Sequence, residues 1–284
     1  MKLPLALLAA IAAASFLGPI LHHLVSSGSP EQIDLLHRLA GPSIPHPLGT
    51  DELGRDVLLR LFEGGRISLT IGIAAALAAA AIGTAIGLAA GYVGGWTDRL
   101  LMRATDAVIA LPLLPLLIVL AALDLEKLGL PRTVTGSDDI SLIRIALIAV
   151  LIGWTTAARL VRGAALVTRN RDFVRAARSL GAGAPHILVR HILPNVSGPL
   201  IVATTLSVGD VILLESVLSF LGLGVQPPLA SWGSMLSNAQ ELIGSAPSLA
   251  IYPGLMIFLT VVAFNLLGDG LQRRLEPALQ RAAA

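Results

Sequence analysis

The chain contains no cysteine, which excludes a disulfide framework, a thiol nucleophile and thiolate metal sites. Charge is scarce as well. Asp, Glu, Lys and Arg together make up 13% of the 284 residues, where a soluble domain carries about 25%. Aromatic residues are only 4%, and no basic-aromatic face is present, so nucleic-acid binding has no support. The sequence has no Gly-x-x-x-x-Gly-Lys-Ser/Thr phosphate loop and no Gly-x-Ser-x-Gly nucleophile elbow, which argues against ATP binding or acyl transfer by this chain itself. No His, Asp or Glu set has convincing metal-ligand spacing; His186 and His191 lie five apart near a turn, and a surface role suffices for them.

What the chain has is apolar residues, 55% of the total, with a mean hydropathy of +0.80. A helix that spans a bilayer needs about 20 mostly apolar residues. Windows at about 4–25, 68–91, 104–123, 141–158, 199–221 and 249–271 qualify, which predicts an all-α, polytopic membrane protein with six transmembrane helices. The first window also reads as a signal peptide, but its apolar run continues past the Ala12-Ala13-Ala14 stretch to Val25, too long for that role. Pro112 and Pro115 fall inside the third window and predict a kink there.

Loop charge orients the spans. With the N-terminus in the cytoplasm, the inner segments hold Lys2, Arg99, Arg103, Arg159, Arg162, Arg169, Arg171, Arg175, Arg178, Arg190, Arg273, Arg274 and Arg281, against only Asp98, Asp172 and Glu276. The outer segments are acid-rich. This distribution follows the positive-inside rule and places both termini in the cytoplasm. Gly83, Gly87 and Gly91 repeat every four residues in the second window and predict a face on which another helix backbone approaches closely.

The segment 159–198 is the longest inner loop. Asp172 is a candidate helix cap. Phe173, Ala177 and Leu180 share one face at i, i+4, i+7, and Gly181 stands at the C-terminal glycine position. A second helix is expected from Pro185 to about Ile192, ending before Pro194. The slim side at Ala176 and Ala177 suits a groove on another protein. Spacing alone favours a basic amphipathic hairpin on anionic lipid headgroups.

The run Phe173-Val-Arg-Ala-Ala-Arg-Ser-Leu-Gly181, continuing to His191-Ile-Leu-Pro194-Asn195, resembles the EAA loop of bacterial ABC importer permeases. Three further stretches narrow the resemblance to the dipeptide/oligopeptide/nickel (DppC/OppC-like) branch: His46-Pro-Leu-Gly-Thr-Asp-Glu-Leu-Gly-Arg-Asp56, Phe220-Leu-Gly-Leu-Gly-Val-Gln-Pro-Pro228 with Ser231-Trp-Gly233, and Ala263-Phe-Asn-Leu-Leu-Gly-Asp-Gly-Leu271. The resemblance covers about 46–277. It implies the type I importer (MetI-like) permease fold, with residues 1–67 as the first helix and external segment, 68–271 as the permease domain and 272–284 as a cytoplasmic tail. It also implies a multi-pass location in the bacterial inner membrane and a translocation path for dipeptides or oligopeptides. The implied partners are a second homologous (DppB/OppB-like) permease, two cytoplasmic ABC ATPases that hold the ATP and Mg, an external solute-binding protein and membrane lipid. Phe173, Arg175, Ala176, Ala177, Leu180, Gly181, Leu193 and Pro194 would dock on the ATPase. Arg175 stands where the motif has its glutamate, and Asp124–Ile140 is longer and more polar than the branch leads one to expect.

Among acids within the windows, Asp106 and Asp269 lie near cytoplasmic ends, where headgroup solvation accounts for them. Asp210 and Glu215 lie deeper, where a charge is costly. They fit contact with a peptide amino group along a translocation path, and equally structural hydrogen bonds between helices. Nickel uptake is the alternative substrate, and an ion-coupled secondary transporter the alternative class, with Asp210 and Glu215 as its relay.

Overall fold

The computed structural model describes residues 1–25, 29–122 and 139–283. All regular elements among them are helical. The α-helices are α1 (Lys2–Val25), α2 (Val57–Val93), α3 (Gly95–Ala110), α4 (Leu113–Ala122), α5 (Asp139–Thr168), α6 (Asp172–Ser179), α7 (Ala184–Ile187), α8 (Leu193–Phe220), α9 (Trp232–Leu242) and α10 (Ser248–Ala283), with a 3-10 turn at Leu35–His37. A π turn over Leu188–Ile192 joins α7 to α8. Most of Asp124–Ile140 lies outside the described residues.

Five stretches are long and apolar enough to cross a membrane: Lys2–Ile20, Val57–Val93, Ile140–Thr168, Ala184–Phe220 and Ser248–Leu275. The described residues therefore hold five such helices, where the sequence leads one to expect six. The difference lies in the third window. There the chain forms two shorter helices, α3 and α4, separated at Leu111, which is extended at φ −70°, ψ 133°. Leu111 precedes Pro112, and the proline ring disfavours helical backbone at the residue before it. Pro115 falls in the first turn of α4, where its missing N–H breaks no helical bond.

The centre of the fold is the pair α2 and α5. Gly83, Gly87 and Gly91 face α5. A Cβ on Gly83 would stand 2.6 Å from the Ala157 Cβ, one on Gly87 2.6 Å from the Ala158 carbonyl oxygen, and one on Gly91 2.7 Å from the Ala165 Cβ. The helices thus touch backbone to backbone, along a seam that Ala157, Ala158, Val161 and Ala165 complete. Arg169, just beyond α5, donates from Nη1 to the Gly91 carbonyl at 2.8 Å and closes the seam at the Gly91 end.

α8 packs against α2, α5 and α10. Leu117, Ile145, Ile148, Ala149, Val211 and Leu218 form one apolar cluster. Ile11, Leu69, Ala76, Val208, Ile212, Trp232 and Ile257 form another. Trp232, fully buried, donates its indole N–H to the Leu61 carbonyl at 2.9 Å and holds the start of α9 on α2. Ahead of α2, the 46–56 turn is built on charge. Asp56 caps α2 through the Leu59 N–H and pairs with His46 at 2.9 Å. Asp51 pairs with Arg55 at 2.7 Å and lies 3.5 Å from Arg60.

Candidate functional site

The hairpin 172–192 is not a free-standing loop. α5 continues to Thr168, so Arg159 and Arg162 sit on that helix rather than in a connecting segment. Arg159 pairs with Asp106 at 2.6 Å, and Arg162 grips Asp98, with Nη2 to Oδ2 at 2.7 Å. The hydrogen bond from Arg162 holds the Asp98 carboxyl below its ordinary pKa. These pairs bind α3 to α5. Asp106 thus has a partner in its own chain, where the sequence leads one to expect solvation by headgroups alone.

α6 starts at Asp172, with Arg171 as its N-cap. Asp172 therefore stands in the first turn, where its charge favours the positive helix end, instead of capping. It pairs with Arg175 at 2.8 Å, with both side chains exposed. The helix ends in a Schellman motif. The Gly181 N–H bonds to the Arg178 carbonyl, the Ala182 N–H bonds to the Ala177 carbonyl, both at 3.0 Å, and Gly181 takes φ +85°. That left-handed conformation is what a glycine at C′ supplies.

The face on which Phe173, Ala177 and Leu180 lie is largely open, with Ala177 half-buried. Phe173 is 42% exposed and Leu180 89%. The anchor is Val174, which the i, i+4, i+7 pattern misses. It is fully buried with Val161, Ala165, Ile187, Ile192 and Val196. One valine on the inner side and an apolar outer side leave α6 fixed to its own chain by one edge and open on the other. Arg178, itself exposed, lies over the Tyr92 ring, 5.6 Å from its centroid. His191 lies 5.8 Å from His186 and 6.1 Å from Phe173, ring centre to ring centre, so the hairpin brings together three rings that the sequence scatters.

The second helix of the hairpin does not end before Pro194. It runs from Ala184 through to Phe220. Pro194 is tolerated because the preceding turn is a π turn, in which the Leu193 N–H bonds to the Leu188 carbonyl. The wider turn carries the chain past a residue that lacks an N–H and would otherwise crowd the carbonyl four residues back. The hairpin and α8 are therefore joined by continuous helical backbone. Leu193 is half-buried and Pro194 exposed.

Asp210 and Glu215 sit on opposite sides of α8. Glu215 is fully buried in a cage of hydroxyls. It accepts from Ser68 Oγ at 3.0 Å and from Ser219 Oγ at 2.7 Å. Ser68 Oγ in turn accepts the Trp232 N–H at 3.3 Å, and Ser219 Oγ the Val225 N–H at 3.1 Å. Ser231 Oγ reaches Ser219 Oγ at 3.4 Å and caps α9. Glu215 therefore ties α2, α8 and the 221–231 turn together. Asp210 is exposed on the outer face of α8 and has no polar partner among the described residues. Ser219 lies four residues after Glu215, at helical spacing, whereas Ser68 gives no short-range signal because its bond to Glu215 spans 147 residues.

The cage predicts the effect of Glu215→Gln. Both serine hydroxyls accept an N–H from elsewhere, so each spends its proton on a carboxylate oxygen. Glutamine has one acceptor oxygen, and one hydroxyl is left facing an NH₂ group. The expected loss is about 1–3 kcal/mol of stability, read as a lower thermal unfolding midpoint of the purified protein in detergent. An unchanged midpoint would remove the structural role.

The sequence profile of the binding-protein-dependent transport system inner membrane component matches residues 83–281. A glutathione transport system permease protein, GsiD, of Shigella flexneri serotype 5b (strain 8401) is 47% identical over 241 residues, covering 84% of this chain and 75% of the relative. Its counterpart in Escherichia coli O6:K15:H31 (strain 536) is 44% identical over the same shares. Among solved structures, an amino acid ABC transporter crystallised with histidines superposes with a TM-score of 0.53 at 16% identity, covering 76% of this chain and 94% of that one, a likeness of fold.

Proposed function

The chain belongs to the family of inner membrane components of binding-protein-dependent transport systems, and from that membership we propose that it forms the translocation path for short peptides in an ATP-driven importer, with glutathione-sized peptides as the substrate class. It is non-catalytic. ATP and Mg sit on two cytoplasmic ATPase subunits, an external binding protein delivers the substrate, and a second, related permease completes the path. Both termini face the cytoplasm.

The observation that carries this reading is the hairpin 172–192. Its outer face, with Phe173, Ala176 and Leu180 exposed and Ala177 half-buried, is open to a partner, while Val174 and the helical stretch from Ala184 to Phe220 connect it to the apolar helices. Closure of the ATPases on ATP would move α6, and α8 would follow as one rod. Two global states that ATP and the loaded binding protein favour unequally are what such coupling requires.

The test is uptake of labelled glutathione and a labelled dipeptide, with nickel in parallel, in cells with and without this gene, before and after ATP depletion at a held ion gradient. Peptide uptake that needs both gene and ATP is the expected result. Gene-dependent uptake of nickel alone would replace the substrate, and uptake that survives ATP depletion would overturn the ATP-driven mechanism.

A further inference from the structure

Among the described residues Asp210 has no polar partner. α8 buries Val208, Ile212, Glu215 and Ser219 on one side, and Asp210 lies on the opposite side with Leu213, Val217 and Phe220, all exposed. An ionisable side chain on a spanning helix is costly against lipid and requires water or a polar partner. One turn below Asp210 on the same face, Leu206 forms the wall of a concave cavity of about 370 Å³ that Pro199, Val202, Ala203, Gln272 and Leu275 also line. Four residues of helix rise put the carboxylate about 6 Å above that wall. Apolar walls with one or two placed polar groups are the usual make-up of a small-molecule site, and concavity distinguishes this face from a flat subunit contact.

We propose that Asp210 binds the free ammonium group of the peptide at the head of this cavity, so that the outer face of α8 is a wall of the translocation path and Asp210 a determinant of substrate charge. The proposal rests on the peptide-import reading above. A carboxylate without an internal cation attracts a cationic ligand group. The apolar cavity below it accepts side chains of varied shape, which suits a path that must release what it passes.

The absence of native cysteine allows a direct test in membranes carrying the assembled importer. Leu206→Cys, and Leu213→Cys as a second probe one turn above, are treated with a cationic and an anionic methanethiosulfonate reagent, with and without Asp210→Asn. The cationic reagent is expected to react about tenfold faster, and Asp210→Asn to abolish the preference. A dipeptide with a free amino terminus should protect the cysteine, and its N-acetylated form should not. Failure of both reagents at both positions would mean that lipid or the second permease covers this face, and would overturn the proposal. So would equal rates that ignore Asp210→Asn, or equal protection by the two peptides. Charge-selective labelling with no peptide uptake by the native importer would instead refute the peptide reading and leave a cation-attracting path.

Discussion

Replacing Gly181 with valine is expected to abolish ATP-driven uptake while the protein still inserts at its normal level. Gly181 adopts φ +85°, and a Cβ there would meet no atom within 4 Å, so the penalty is conformational and not steric. A β-branched residue at positive φ is a backbone outlier, with strain of about 1–3 kcal/mol. The turn relieves that strain by moving. The two bonds that close α6, from Gly181 and Ala182 to the Arg178 and Ala177 carbonyls, are the first to give way, and the angle between α6 and the helix that begins at Ala184 changes with them. The spanning helices do not depend on this turn, so insertion and overall fold persist. Gly181→Asn is the matched control, because asparagine enters the left-handed region with little cost and should keep most of the transport. Uptake, ATP hydrolysis stimulated by the loaded binding protein and the amount of membrane-inserted chain are measured together. Native transport by Gly181→Val would remove the hairpin from the coupling mechanism, and equal losses in the valine and asparagine variants would assign the effect to something other than backbone conformation.

Much of the architecture is legible in local pattern. The apolar runs mark the spanning helices, because the bilayer demands length and composition together. The four-residue glycine period marks a close helix contact, though only the fold supplies its partner, α5. What pattern does not reveal falls into two kinds. Proline reads as a helix end, and at Pro112 a helix does end just before it. At Pro194 it does not, because a π turn over Leu188–Ile192 absorbs the missing donor, and no residue type announces such a turn. Periodicity, likewise, identifies a face without saying which way it points. Phe173, Ala177 and Leu180 form the expected face, but it turns outward, and the single residue Val174 holds α6 down. The acids show the limit most plainly. Asp210 and Glu215 look alike in sequence, five apart in one apolar run. The caging serines separate them, and one of these, Ser68, comes from a helix far away in the chain.

Gly87→Leu is expected to prevent accumulation of folded protein, and Gly87→Ala to lower its thermal stability measurably. Between helices in a membrane, lipid is as apolar as any side chain, so no hydrophobic drive holds α2 to α5. Association depends on dispersion at close approach and on polar contacts. At Gly87 the approach leaves nothing to spare. A Cβ would lie 2.6 Å from the Ala158 carbonyl oxygen, 2.8 Å from the Val161 Cβ and 3.0 Å from the Arg162 nitrogen. Two of these are backbone atoms, which no rotamer change can move aside, so the helices must separate. Overpacking by a few carbons costs about 1–3 kcal/mol in a core whose side chains can adjust, and a rigid backbone puts leucine above that range. Separation would also withdraw the contacts at Gly83 and Gly91 and the Arg169 bond to the Gly91 carbonyl, because all lie on one seam. Gly163 supplies the contrast within α5 itself. It is helical, and a Cβ there meets nothing within 4 Å. Gly163→Ala should therefore be neutral or stabilising, by up to about 1 kcal/mol, since only the helical cost of glycine is removed. Fluorescence-detected size exclusion in detergent, with a thermal ramp, ranks the variants. The seam account requires the order Gly163→Ala, Gly87→Ala, Gly87→Leu in falling stability. Equal behaviour of the two alanine variants would show that glycine at position 87 serves something other than the close approach of α2 to α5.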